Sequence, residues 1–220
     1  MKKTKLKTIV NLILDESGSM LDIKDSTISA INEYVKSLRK QKGLFYFTLT
    51  TFNSDGIKTP YLNVPIIDVK PLGDKDYAPT SLTPLYDAVG ETVIKVENQL
   101  KDSKEKTAVL VVIVTDGFEN YSKEFNQTRI HNLIERLKKE KDWTFVFLGA
   151  NQDSWAVGQS LGISLNNNLN WNATSRGVQM MAVNLAQSTA NYSDAVVDSV
   201  LKGASLRVDN FFDNTNKENA

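Results

Sequence analysis

Lys7-Thr8-Ile9-Val10-Asn11-Leu12-Ile13-Leu14, followed at once by Asp15-Glu16-Ser17-Gly18-Ser19, decides how this chain is read. The first part is β-branched and apolar, the composition of a strand buried on both faces. The second is a tight polar loop that gathers carboxylate and hydroxyl oxygens at the strand's carboxyl end. Met1-Lys2-Lys3-Thr4-Lys5 imitates the basic start of a secretion signal. The apolar run behind it is brief, contains Asn11 and leads into Asp15-Glu16 rather than a small-residue cleavage site, so it reads as a first strand.

Outward from this stretch, strand and helix signals alternate. Ile28, Ile31, Val35 and Leu38 recur at helical spacing within Asp22 to Arg39, and Gly43 follows as a stop. Leu44 to Phe52 is aromatic and β-branched, Asn53-Ser54-Asp55-Gly56 is a turn, and Tyr61 to Val69 is a weaker strand. Pro65 places that strand at a sheet edge, because Pro cannot donate to a ladder. The short connection predicts an antiparallel hairpin. After the polar loop Gly73 to Thr83, a helix carries Leu85, Val89, Val93, Val96 and Leu100 on one side. Ala108 to Val114 is a continuous apolar run, as in a central parallel strand. Then come a helix over Asn126 to Lys139, a strand over Thr144 to Leu148 and a short helix over Asp153 to Leu161. The Asn-rich stretch from Asn166 to Asn172 is expected to be loop with a short edge strand. Thr174 is a candidate N-cap for a last helical region to Lys202 that breaks near Asn191.

This order predicts an α/β, doubly wound, Rossmann-like fold: a mostly parallel central sheet with one antiparallel edge strand and helices on both faces. Residues 1–212 are expected to form one domain, with a C-terminal helical extension over about 173–202 and a disordered tail at 213–220. In such sheets ligands bind beyond the carboxyl ends of the strands, where strand order reverses.

Composition narrows the function. Lys plus Arg equals Asp plus Glu, at 26 each, in a chain of 220 residues. Nothing in that balance favours a phosphate backbone or an acidic membrane as partner. No Cys is present, which excludes disulfides and thiolate metal sites. No stretch is long and apolar enough to span a bilayer. The expectation is a cytoplasmic monomer that binds neither nucleic acid nor membrane.

Three segments stand out: Asp15-x-Ser17-x-Ser19 after the first strand, Thr83 before Pro84-Leu85, and Thr115-Asp116-Gly117 after the central strand. Together, in this order and at these strand ends, they resemble the metal-ion-dependent adhesion site of von Willebrand factor type A domains. The resemblance covers about residues 6–165. It implies that the hydroxyls of Ser17, Ser19 and Thr83 coordinate a divalent ion, and that Asp15 and Asp116 supply charge, at least one of them through water. An all-oxygen donor set suits Mg²⁺ or Mn²⁺. Two carboxylates barely neutralise such an ion. The resemblance therefore implies an open coordination position that takes an Asp or Glu carboxylate from a partner protein. Phe147-Leu148-Gly149-Ala150-Asn151-Gln152-Asp153 more loosely resembles small members of the family from bacteria and their phages, which implies a microbial cytosolic setting.

Plainer readings stand beside these. Asp15 and Asp116 could cap helices, and Ser17 and Ser19 could simply form turns. Thr83 before Pro fits an N-cap as well as a ligand, Thr80 and Ser81 lie nearby, and the family's usual Gly-rich sequence before the Thr is replaced by Ala78-Pro79-Thr80-Ser81-Leu82. Glu119 and Asn120 could rim the site or be solvated, Asp87 could be a favourable charge near a helix N-terminus, and Phe118 and Tyr121 are expected to pack as cover. Asn151 or Asp153 could cap the next helix. A scaffold with a vestigial or structural ion site is the main alternative function. A Mg²⁺-dependent hydrolase is the third: its second acid would fall at Ser17, the lone His131 sits on a helix, and no nucleophile elbow or P-loop appears.

Overall fold

The computed structural model describes residues 6–103, 105–150 and 154–212. The expected disordered tail at 213–220 and the expected caps Asn151 and Asp153 lie outside these residues.

One sheet organises the chain, in the order β3-β2-β1-β4-β5-β6. β1 (Lys7–Asp15) pairs in parallel with both β2 (Leu44–Asn53) and β4 (Thr107–Thr115). β4 pairs in parallel with β5 (Thr144–Ala150), and β5 with the short β6 (Asn168–Trp171). β3 (Gly56–Pro65) is the antiparallel edge. The sheet is α/β, mostly parallel, with one antiparallel edge strand, as the sequence predicts.

Alternation along the strands divides the core into two layers. Val10, Leu12, Leu14, Leu110, Val112 and Val114 face α1 (Lys24–Lys40) and α5 (Ser175–Lys202). Ile13, Val109, Val111, Ile113 and Phe147 face α2 (Leu85–Leu100) and α3 (Gln127–Lys141), and α4 (Ser154–Ser160) adds Val157 to that side. Helices on both faces explain why β1 and β4 are apolar at nearly every position rather than alternating.

Three local expectations change. β3 begins at Gly56, not Tyr61, and Ile66–Asp68 forms a 3-10 turn rather than strand. The exposed positions of this edge are Lys58, Pro60 and Pro65, which hides it from a hydrophobic pattern, and its register shifts twice, around Pro60 and around the left-handed Asn63. The first helix is preceded by a 3-10 turn over Gly18–Ile23, which explains why Ile23 does not share the helical spacing of Ile28 onward. α5 runs unbroken past Asn191, because Thr189 and Tyr192 stay buried on either side of the expected break. Thr174 caps it, accepting a hydrogen bond from Gly177 N.

Strand order reverses between β1 and β4: the chain moves to one side through β2 and to the other through β5. The loops after β1 and β4 therefore flank the crevice where such sheets bind ligands.

Candidate metal centre

β1 ends with Asp15 wholly buried. Its Oδ1 accepts from Ser17 N at 2.7 Å, which closes a tight turn, and its Oδ2 accepts from the Thr115 hydroxyl at 2.5 Å. Ser17 Oγ lies 3.2 Å from Ser19 Oγ, and Ser19 Oγ donates to Asp116 Oδ1 at 2.6 Å. Thus four of the five expected ligands already form one connected cluster.

Thr83 completes it. Helix α2 starts at Leu85, and its first turn has no side-chain cap, so Thr83 is not the N-cap that its position before Pro allows. Thr83 is instead clamped to the β4 loop: its N–H donates to Asn120 Oδ1 at 2.8 Å and its carbonyl accepts from Asn120 N at 3.1 Å. The effect is visible at Gly117. A β-carbon built there would lie 3.4 Å from Thr83 Oγ1, 3.5 Å from Ser19 Oγ and 4.0 Å from Asp15 Oδ2. Donors from all three loops thus surround one small space, which the missing side chain of Gly117 leaves open. Ser19 is exposed, so the space is reachable from solvent.

The surroundings hold the loop in place. Tyr77 OH donates to Asp15 O at 2.6 Å, Thr80 N donates to Glu16 O at 3.0 Å and Gly18 N donates to Ser81 O at 3.0 Å. Thr80 and Ser81, the alternative ligands, therefore serve as backbone clasps for the Asp15–Ser19 loop. Buried Glu16 accepts from Ala78 N at 2.6 Å.

Electrostatics distinguish the two carboxylates in the cluster. Burial pushes the Asp15 carboxyl up to about 6, against the lowering effect of its hydrogen bonds and with a further push from Asp116. Burial also raises Asp116, partly offset by the Ser19 hydrogen bond. Two facing carboxylates that are desolvated, and that form no ion pair with a cationic side chain among the described residues, favour a cation from solution. The donor set is hard oxygen throughout, two carboxylates and three hydroxyls, which fits a divalent ion of the Mg²⁺ or Mn²⁺ kind. No group of three or more His, Asp or Glu side chains converges anywhere among the described residues, so hydroxyls carry much of this donor set.

Other residues singled out in the sequence have different places. Asp87 is a staple, accepting from Lys123 N, Glu124 N and Phe125 N at 2.7 to 3.0 Å. Glu119 likewise accepts from Tyr86 N, Tyr121 N and Ser122 N, and from the Ser122 hydroxyl. Neither is a solvated loop charge. Phe118, expected to pack as cover, is 63 % exposed beside the cluster. His131 lies on α3, its Nδ1 3.1 Å from Ser160 O, apart from the cluster. Sequence reasoning missed Thr115 and Tyr77 as holders of Asp15; the Thr in Thr115-Asp116-Gly117 was a readable signal, and Tyr77, distant in sequence, was not.

Solved structures share this architecture. Proximal thread matrix protein 1 from the mussel byssus aligns with a TM-score of 0.59 at 15% identity, over 81% of this chain and 46% of that one. A von Willebrand factor type A protein from Catenulispora acidiphila aligns at 0.57 and 9% identity, over 84% and 43%. Manganese-loaded TRAP protein of Plasmodium vivax aligns at 0.53 and 16% identity, over 79% and 72%. The chain spans less than half the length of the first two. No family model and no curated protein matches the sequence. The fold is that of a von Willebrand factor type A domain.

Proposed function

We propose that the chain is a divalent-cation-dependent protein-binding module. Asp15, Ser17, Ser19, Thr83 and Asp116 hold Mg²⁺ or Mn²⁺, and the ion takes an Asp or Glu carboxylate of a partner protein. The observation that carries this reading is the convergence of Thr83 Oγ1, Ser19 Oγ and Asp15 Oδ2 within 4.0 Å of one point over Gly117. The manganese-loaded neighbour of the same fold supports the choice of cation class.

The ion supplies positive charge that attracts an incoming carboxylate. The chain's own residues do the rest. Asp15 and Asp116 make the site attractive to a cation. The three hydroxyls contribute donors without charge, so a bound divalent ion is not over-neutralised and keeps its pull on an anionic ligand. Thr115, Tyr77 and Asn120 hold these groups in place. A hydrolytic role would need a general base beside the cluster, and the one His of the chain is on α3, bonded at Ser160.

The test is capture of partners from a microbial lysate on immobilised protein, in Mg²⁺ and in EDTA, with Asp15→Ala as control. Binding that needs both Mg²⁺ and Asp15 supports the reading. A partner retained in EDTA and by the variant would place binding on another surface and leave the cluster a structural site at most.

A further inference from the structure

A second candidate site lies on the α1 side of the sheet edge. The strap that runs from the end of β3 to Tyr77 stands off β2 and β3 and leaves a cleft of about 530 Å³. Its polar lining is Thr51, Lys58, Thr59, Lys70, Lys75 and Asp76; Pro60, Tyr61, Pro71 and Leu72 add apolar wall.

The walls are fixed by directed bonds. The Asn32 side chain donates to Leu72 O at 3.0 Å and accepts from Leu72 N at 2.8 Å. Tyr61 OH accepts from Lys70 N at 3.2 Å, which leaves its own proton free to donate. Arg39 donates to Ile66 O and Val69 O. The cleft is thus preformed, although past the 3-10 turn Ile66–Asp68 the strap has no helix or strand.

Its charges are unevenly satisfied. Two of the strap's three acids are engaged, Asp74 with Lys24 at 2.5 Å and Asp76 accepting from Gly73 N at 2.7 Å, and the third, Asp68, does not line the cleft. Among the described residues, Lys70 and Lys75 form no ion pair. Lys58 is 3.6 Å from Glu16 Oε2, a buried oxygen with no hydrogen-bond partner. Three lysines against Asp76 leave an excess of two positive charges (3 − 1), or one if Glu16 behind the wall is counted (3 − 2). In a chain of zero formal net charge that is a local departure. A phosphate monoester carries about −1.5 to −2 at neutral pH and matches it. The cleft has more room than a bare phosphate fills, and its Pro, Tyr and Leu walls suit an apolar or planar body attached to the anion.

We propose that this cleft binds a free small molecule bearing a phosphate monoester, with Lys58, Lys70 and Lys75 as its cationic contacts and Tyr61 OH as a donor. The site stands apart from the metal reading and needs no ion. The test is amide-shift NMR titration of the full chain in EDTA, which keeps metal-bound phosphate out of the result. The probes are inorganic phosphate, adenosine 5′-monophosphate, adenosine and a phosphoserine peptide. The nucleotide is expected to shift the amides of Lys58 and of the strap from Lys70 to Asp76, more tightly than inorganic phosphate, while adenosine does not bind. A Lys70→Gln/Lys75→Gln double variant, both positions being exposed, is expected to weaken binding by about tenfold or more through loss of charge-assisted contacts. Shifts centred elsewhere, unchanged affinity in the double variant, or no saturation at millimolar phosphate or nucleotide would overturn the proposal. Binding of the phosphopeptide without the nucleotide would overturn the assignment to a free small molecule.

Discussion

Two pairs of carboxylates sit a few residues apart at the same end of the sheet, and they are treated in opposite ways. Asp87 and Glu119 each accept three backbone N–H groups, and together they pin the loop after β4 to the start of α2. Asp15 and Asp116 are buried too, yet their carboxylates bond to hydroxyls and to N–H groups of their own short loops, and they face each other across the hydroxyl cluster. The first pair uses its charge up in holding the fold. The second keeps charge in reserve at a cost to stability, which is the pattern expected of groups that await a cation.

The sharpest break in that comparison is Asp87→Ala. It strands the three backbone donors of Lys123, Glu124 and Phe125, and charged-acceptor bonds are each worth about 1.5–3 kcal/mol. The expected loss is about 3 kcal/mol or more, read by chemical denaturation. A loss under about 1 kcal/mol would erase the contrast between the pairs.

Asp15→Asn should act in the opposite direction. The folded-state value of Asp15 is raised to about 6 from 3.8, so the fold favours its protonated form. The contribution of Asp15 to the stability of the metal-free protein is therefore fully present below about pH 4 and is lost as pH rises through about 6. Two pH units correspond to about 3 kcal/mol at most. Denaturation of metal-free protein across pH 4 to 7 should show this slope, and Asp15→Asn should flatten it and raise neutral-pH stability (slope and gain both absent would sink the assignment). With Mg²⁺ present, the cation offsets the penalty, so melting temperature at pH 7 should rise in the wild type and not in the variant.

Asn120→Ala sharpens the comparison more gently. It removes the side-chain half of the Thr83 clamp and should cost about 1 kcal/mol of stability. It should weaken Mg²⁺ binding by more than it weakens the fold, because the Asn120 side chain clamps the Thr83 segment from the loop after β4. Equal effects on both would make Asn120 a purely structural residue. The smallest stability effect is expected for Gly117→Ala. Its new methyl would sit 3.4 Å from Thr83 Oγ1, ordinary contact in the metal-free state, yet inside the space the donors surround. Melting without metal should be unchanged, while ion affinity falls about tenfold or more through exclusion.

Much of this was legible because it is written in short range. β1 and β4 announce themselves as apolar runs, and the Asp15, Ser17 and Ser19 spacing is a single turn. What was not legible depends on contacts far apart in sequence. Glu119 and Asp87 looked like loop and helix-end charges, since nothing local says that the N–H groups of residues 121–125 turn back on them. Asn120 and Tyr77 hold their partners over 37 and 62 positions. β3 was misplaced because an edge strand buries little and follows no clean alternation.

Asp15, Ser17, Ser19, Thr83 and Asp116 are expected to bind one divalent ion. The most direct measurement is a Mn²⁺ titration followed by electron paramagnetic resonance, with wild type, Asp116→Ala and Gly117→Ala side by side at pH 7. One saturable site is expected in the wild type, competed by Mg²⁺ and lost or much weakened in both variants. Equal Mn²⁺ uptake by all three proteins, or none by the wild type at millimolar Mn²⁺, would contradict it.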